Sequence, residues 1–219
     1  MKKHIFILVL LALAATGAFA NEFSLSAGGG ALFDWNFDNG YEYGSNSYAV
    51  EDVMAFGGFA FFDATYAELD VNFTYGLRQS VSNVSSVQNG ANGNYMALGF
   101  SLMGKFPIDL GPVTIFPLLG GSYNMVLVDK DKDGKSVSDV ANSSYTSMNL
   151  SQFGGLAGAG LDIIFSDLLF LRAEALFHFR FPNKYTSDKA DTFDGGKTTF
   201  GMGPRIKVGL GFRFFSLGT

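Results

Sequence analysis

Apolar and polar side chains alternate along much of this chain. In LLFLRAEALFHFRF, residues 168–181, one parity carries Arg172, Glu174, His178 and Arg180, and the other carries leucine, alanine and phenylalanine. A period of two is typical of a β-strand, in which successive side chains point to opposite faces. On a helix the same four polar groups would circle the axis. The segment is therefore predicted to be a strand with one polar face and one apolar face.

The same alternation of apolar and polar residues divides the chain into eight predicted strands. The predicted segments are 22–37, 50–62, 65–80, 94–108, 113–128, 151–165, 168–181 and 201–215. Tight turns are predicted at Asp63, at 109–112 and at 166–167, and long polar loops at 38–49, 81–93, 129–150 and 182–199. Short and long connections alternate strictly, so all tight turns should lie at one end. Pro117 and Pro204 fall inside strands, where a bulge or an unpaired position is expected.

Composition decides what such strands build. The mean hydropathy is +0.19 and aromatic residues make up 16% of the chain. Beyond the first 20 residues no run of about 18 uncharged apolar residues occurs, which disfavours a helical span. Only helices and closed barrels satisfy every backbone hydrogen bond inside lipid. The predicted fold is all-β, an eight-stranded antiparallel up-and-down transmembrane β-barrel.

The N-terminus predicts export. Lys2 and Lys3 precede an apolar stretch that ends in Ala18-Phe19-Ala20, so residues 1–20 are interpreted as a signal peptide and 21–219 as the barrel. Removing Lys2 and Lys3 leaves 13 basic side chains against 20 acidic ones, a net charge of −7, which argues against a nucleic-acid partner. The chain has no cysteine, so disulfides and a thiol nucleophile are excluded.

Signal peptide, eight strands, long loops and the final strand IKVGLGFRFF together resemble the small outer-membrane barrels of diderm bacteria, of the OmpW type or the OmpA membrane-domain type. The resemblance implies an outer-membrane location with lipid around the barrel. It also implies that the last strand is recognised by the barrel-assembly machinery. In such barrels tight turns face the periplasm and long loops face outward, so both termini are expected to be periplasmic.

The polar parity of the strands predicts a charged barrel interior. An eight-stranded barrel is only wide enough to be filled by its own side chains, and charges buried there must pair or be hydrated. A salt-bridge network is expected in the half near the tight turns. The predicted interior charge network comprises Glu68, Asp70, Arg78, Lys105, Asp162, Arg172, Glu174, His178, Arg180, Arg205, Lys207 and Arg213.

One loop carries a partial metal motif. In DKDKDG, residues 129–134, Asp129, Asp131 and Asp133 alternate before a glycine, as in the first half of a calcium loop. The bidentate Glu expected at the twelfth position is Val140, so a full site is not encoded. An exposed polar loop tip explains the same residues. No cofactor and no catalytic residue is predicted.

Three functions remain open. The first, which the resemblance to OmpW-type barrels implies, is a narrow passage for small solutes, including hydrophobic ones. The supporting observation is a wall of small or apolar interior residues: Gly99, Ser101, Phe116, Leu118, Gly120, Leu156 and Gly158. The second is a closed structural barrel whose loops, rich in Tyr, Asn, Ser and Asp, bind a host or matrix molecule. The third is a lipid-modifying enzyme that uses His178 with a serine, although no serine carries a recognisable motif.

Overall fold

The computed structural model describes residues 23–43, 46–81, 93–130, 151–181, 197–198 and 201–217. Within them lie eight long strands and two strands of two residues each. These are β1 (Phe23–Tyr43), β2 (Asn46–Ala64), β3 (Ala67–Val81), β4 (Gly93–Lys105), β5 (Ile108–Asp109), β6 (Val113–Lys130), β7 (Gln152–Ile164), β8 (Leu169–Arg180), β9 (Lys197–Thr198) and β10 (Gly201–Leu217). In the described part of the chain, no helix is long and apolar enough to cross a membrane.

The strands close into a barrel. Each long strand pairs antiparallel with the long strand that follows it in the chain, and β10 returns to pair with β1. The short strand β5 pairs with β6, and β9 pairs with β1. The predicted fold class, an all-β, eight-stranded up-and-down barrel, is therefore confirmed.

The first tight turn lies two residues later than the sequence predicted. Asp63 belongs to β2 and is buried, and the turn consists of Thr65 and Tyr66. Thr65 has a positive φ of 45°, and its hydroxyl oxygen accepts a hydrogen bond from the backbone N–H of Ser24 at 2.7 Å. The prediction of a turn at Asp63 is wrong because Asp63 shares the inward parity of Phe59 and Phe61.

The other two tight turns lie where they were predicted. Between β5 and β6 the chain turns through 110–112, and Gly111 adopts a left-handed φ of 88°. Its N–H donates to the Asp109 side chain at 2.8 Å. Between β7 and β8, the hydroxyl of Ser166 accepts from the N–H groups of Leu168 and Leu169. All three turns therefore lie at one end of the barrel.

The opposite end differs from the prediction in one connection. The predicted loop 38–49 is for the most part a continuation of the β1–β2 hairpin, whose pairing reaches Tyr43 and Asn46. That prediction is wrong because backbone pairing continues through two register irregularities near Asn39 and Tyr41, despite the polar sequence. The other three predicted loops fall almost wholly outside the described residues.

Neither proline inside a strand produces the expected bulge. Pro117 and Pro204 keep unbroken register with β7 and β8, so the second predicted outcome, an unpaired position, is the one found. Each stands beside a gap in the ladder on its other side. The β4–β6 ladder ends at Leu118, and the β1–β10 pairing skips from Arg205 to Met202. A residue without a backbone N–H is tolerated there because no ladder bond is lost.

The outer surface is a continuous apolar band. Alternate residues of the strands expose large hydrophobic side chains, whereas their neighbours point inward. Members of the band include Phe56, Leu69, Phe73, Leu77, Phe100, Leu102, Ile115, Leu119, Phe153, Ile206, Leu210 and Phe212. Soluble monomers rarely expose so large an apolar surface. Alternation of apolar outside with polar inside is the pattern of barrels that face lipid.

Candidate functional site

The interior charges form two groups. The first, which we name the Arg172 network, lies towards the tight turns and joins Arg172, Lys105 and Lys207 to five carboxylates. The carboxylates are Asp63, Glu68, Asp70, Asp162 and Glu174. The second, the Asp34 cluster, lies further towards the opposite end and contains Asp34, Asn36, Tyr95, His178, Arg180 and Arg205.

Arg172 is the centre of its network. Its Nε and Nη2 atoms donate to the two oxygens of Asp162, each at 2.8 Å, which is the bidentate geometry that a guanidinium favours. Its Nη1 donates to Glu68 at 2.7 Å and its Nη2 to Asp63 at 2.5 Å. One side chain of β8 therefore binds carboxylates from β2, β3 and β7 and bridges the lumen.

The two lysines extend the network along the barrel wall. Lys105 contacts Asp63 directly and lies 3.6 Å from Asp162. Lys207 lies 2.6 Å from Glu174, 3.0 Å from Asp70 and 3.3 Å from Glu68. Because β4 and β10 supply these lysines, the network joins six strands of the closed sheet.

Aromatic rings pack against the same cations. The guanidinium of Arg172 lies 4.3 Å from the ring centre of Phe61, and Lys105 lies 4.1 Å from that of Phe116. Lys207 lies 4.8 Å from the ring of Phe59. Such cation–π contacts gain strength where water is excluded. The rings therefore fill the space between the ion pairs and hold the charged groups in place.

Burial of the network is nearly complete. Glu68 is 0% exposed, Arg172 and Lys207 are each 1% exposed, and Phe116 is 0% exposed. Five carboxylates meet three cations, so the pairing is close but the formal charge of the network is −2. Buried ions are tolerated because each has an oppositely charged partner.

The Asp34 cluster has the opposite balance. Asp34 accepts from Arg205 at 2.8 Å, faces Nδ1 of His178 at 3.2 Å, and lies 3.8 Å from Arg180. Arg180 also donates to the hydroxyl of Tyr95 at 3.5 Å. One carboxylate thus serves two arginines and a histidine, all of them buried.

The structure brings together most of the residues predicted for the interior. Glu68, Asp70, Lys105, Asp162, Arg172, Glu174 and Lys207 lie in the Arg172 network, and His178, Arg180 and Arg205 lie in the Asp34 cluster. Arg213 is only half-buried and forms no ion pair with the described residues. Arg78 belongs to β3, but its side chain is not among those that the structure describes.

Two central carboxylates were missing from the prediction. Asp63 was interpreted as a turn residue because both parities of its strand are apolar, so the sequence did not show that Asp63 points inward with Phe59 and Phe61. Asp34 is absent from the predicted network because nothing in the sequence indicated its partners. Those partners come from β8 and β10, which meet β1 only because the barrel closes.

The wall predicted to line a passage is packed. Phe116, Leu118 and Leu156 form a buried cluster with Met103 and Leu176. At Gly99, the side-chain amides of Asn72 and Asn124 occupy the space next to the backbone where a Cβ would point. The ring of Phe116 fills the corresponding space at Gly160. Small residues on this wall therefore make room for neighbouring side chains.

Among the described residues, no group of three or more His, Cys, Asp or Glu side chains is arranged to hold a metal ion. Asp131 and Asp133 of the partial calcium motif lie outside the described residues, and of Asp129 only the backbone, in β6, is described.

The comparisons with known proteins find structures and no sequence relatives. No protein-family model and no curated protein matches the chain. Neisserial surface protein A is 12% identical, with a TM-score of 0.44 over 89% of this chain and 98% of that one. Ail, the attachment invasion locus protein of Yersinia pestis, is 15% identical, with a TM-score of 0.37 over 88% and 98%.

The N-terminal β-barrel domain of Pseudomonas aeruginosa OprF is also similar. It is 15% identical, with a TM-score of 0.35 over 89% of this chain and 98% of that one. The fold of this chain is established by its own strand pairing and exterior. It is a small, closed, eight-stranded β-barrel with the apolar outer surface of an outer-membrane barrel, as the sequence predicted.

Proposed function

We propose that this chain is a closed outer-membrane barrel that holds a binding surface at the end opposite its tight turns. The observation that carries the proposal is the Arg172 network. Arg172 reaches from β8 to Glu68 on β3, which is four strands away around the ring of eight long strands and therefore directly across the lumen. Aromatic side chains fill the space around this contact. A lumen bridged and packed in this way leaves little room for a solute.

Passage of small solutes draws less support from the geometry. That function depended on a wall of small and apolar residues that would leave a path. Phe116, Leu118 and Leu156 pack against one another instead, and asparagine side chains occupy the space beside Gly99. A closed lumen therefore explains more of the interior packing than a passage for solutes does.

Lipid modification by His178 also draws little support. His178 points into the lumen, is 1% exposed and faces Asp34. An imidazole that acts on a lipid needs to reach the outer surface of the barrel, where the acyl chains lie. The inward position suits a structural or polar-binding role.

In the proposed orientation the tight turns face the periplasm and the opposite end faces the exterior. The N-terminal 20 residues act as the export signal, and β10 offers the assembly machinery its recognition strand. The surrounding outer-membrane lipid contacts the apolar band. A host or matrix molecule is the proposed partner of the outer end, where the sequence between strands is polar.

An assay of bacterial adhesion to host or matrix molecules tests this function directly. Bacteria that display the full chain are compared with bacteria that display variants in which 131–150 or 182–196 is replaced by a short turn. Heat-modifiable gel mobility verifies that each variant still folds. We expect adhesion to host or matrix molecules to fall in at least one variant while the barrel remains folded. Adhesion by the full chain that equals an empty-vector control would contradict the proposal.

A further inference from the structure

The Asp34 cluster contains buried polar atoms that have no hydrogen-bond partner among the described residues. They are Nδ2 and Oδ1 of Asn36, Nε2 of His178, Nε of Arg180 and Nε of Arg205, whereas Nδ1 of His178 and Oδ1 of Asp34 face each other at 3.2 Å. Folded proteins leave few such atoms unsatisfied, and each one points to a bound group or ordered water. In the Arg172 network the only described atom in this state is Oε1 of Glu174, because Oε2 lies 2.6 Å from Nζ of Lys207. Most of the unmet hydrogen-bonding capacity of the described side chains therefore lies in the Asp34 cluster, and Trp35 Nε1 and Ser101 Oγ account for the rest.

The sheet register brings these side chains together. Asp34 pairs across the ladder with Arg205, and Gly203 pairs with His178. Asn36 lies beside Gly203, since a Cβ on that glycine would approach the Cα of Asn36 to 3.1 Å. With no side chain at Gly203, Asn36 and His178 approach the same region from two sides.

The chemistry of the free atoms favours an acceptor of hydrogen bonds. Both arginines offer an Nε–H and Asn36 offers an amide N–H, whereas the ring N–H of neutral His178 on Nδ1 donates to Asp34. The free acceptors among the described atoms of the cluster are Oδ1 of Asn36 and Nε2 of His178. Two guanidinium groups share one carboxylate, so the described cluster carries a formal charge of +1 with His178 neutral.

We propose that the Asp34 cluster binds a small oxyanion group, such as sulfate, phosphate or carboxylate, within the half of the barrel remote from the tight turns. Arg180 and Arg205 supply charge and directed donors, as guanidinium groups do for oxyanions. The Asn36 amide completes the set of donors, and Asp34 orients both arginines and His178. Arg180 is the last residue of β8, so the site lies close to that end of the lumen. The site is argued from lumen residues alone and does not depend on a loop partner.

Titration of the refolded mature chain with inorganic sulfate, at constant ionic strength in detergent, tests the site. Isothermal calorimetry of the wild type is expected to show saturable binding. Arg180→Gln is expected to weaken it by about tenfold, because one charge-assisted contact is lost. Arg213→Gln removes an arginine outside the cluster and is expected to leave sulfate binding unchanged.

A second variant guards against misfolding of the first. Asn36→Leu removes the amide donor without changing the charge, and it too should weaken sulfate binding. Absence of saturable binding by the folded wild type would overturn the proposal and assign the free atoms to ordered water. Equal binding by wild type, Arg180→Gln and Asn36→Leu would overturn it as well.

Parallel titrations with phosphate and with a sulfated disaccharide identify the source of the oxyanion. Tighter binding of the sulfated sugar than of inorganic sulfate would indicate a group carried by a larger molecule. Preference for the inorganic ions would indicate a free anion. Both results support an oxyanion site, and the comparison with Arg180→Gln applies to each.

Discussion

Arg172 and Asp162 face each other directly across the β7–β8 ladder, and two parallel hydrogen bonds of 2.8 Å join them. The same guanidinium also binds Glu68 from the opposite side of the barrel at 2.7 Å. A local cross-strand pair and a contact across the lumen thus share one side chain. This arrangement couples closure of the sheet to filling of its interior.

Replacement of Arg172 should destabilise the barrel strongly. Arg172→Met keeps much of the side-chain volume but leaves Asp63, Glu68 and Asp162 without their shared cation. Breaking a buried ion pair in this way costs about 3–5 kcal/mol. Urea unfolding in lipid vesicles, followed by the fluorescence of the single tryptophan, Trp35, measures the loss.

Arg213→Gln is the matched control for that variant. Arg213 is half-buried and forms no ion pair with the residues that the structure describes. Its replacement should change the free energy of unfolding by less than about 1 kcal/mol. Equal losses in the two variants would show that the network does not carry the stability assigned to it.

The two charge groups should respond differently to loss of one carboxylate. Asp34→Asn removes the carboxylate with which Arg180 and Arg205 form their ion pairs and should cost about 3 kcal/mol. Asp63→Asn should cost less, because the Arg172 network retains four carboxylates for three cations. The difference between their urea midpoints is the measurement. A larger loss of stability for Asp63→Asn than for Asp34→Asn would contradict the charge balance described for the two groups.

Gly111 should tolerate no side chain without strain. Its φ of 88° lies in the left-handed region, and nothing crowds the position where a Cβ would stand. Gly111→Ala should therefore cost about 1 kcal/mol through backbone strain alone. Gly155→Ala is the control, since a Cβ there meets its nearest atom at 3.8 Å and φ is not positive. Unfolding midpoints that shift equally would contradict this explanation.

The energetic cost of placing a charge on the outer surface should depend on the depth of that position in the membrane. Leu210 lies near the middle of β10 and is 54% exposed, so Leu210→Arg should cost about 2–4 kcal/mol in a bilayer. Leu110 lies in a tight turn at one end, and Leu110→Arg should cost no more than about 1 kcal/mol. Unfolding from vesicles compares them. Equal costs would place both residues at similar depth and contradict a band centred on the strands.

The barrel could be predicted from the sequence because period-two alternation indicates which side chains of each strand face outward. Strand number, closure and most interior charges followed from it. The turn at Asp63 was wrong because an aspartate at the end of an apolar segment is typical of a turn. Here the inward parity of Asp63 and the cations on β4 and β8 outweighed that preference.

Partners on strands that meet only when the barrel closes could not be predicted in the same way. Asp34 binds Arg205 on the strand that closes the barrel and contacts His178 one strand further on. Such contacts depend on the closing register of β1 and β10, which alternation leaves open. The packing of Phe116 against Leu156 could not be predicted for the same reason. Alternation places both side chains inward, but only the assembled barrel shows that they belong to one cluster.

Single-channel recording tests the closed lumen most directly. The mature chain is refolded into planar bilayers after heat-modifiable gel mobility has verified the barrel. We expect no discrete conductance steps above those of a protein-free bilayer, because the Arg172 network and its aromatic neighbours fill the lumen. Reproducible steps from the folded wild-type barrel would contradict a closed lumen and restore passage of small solutes as its function.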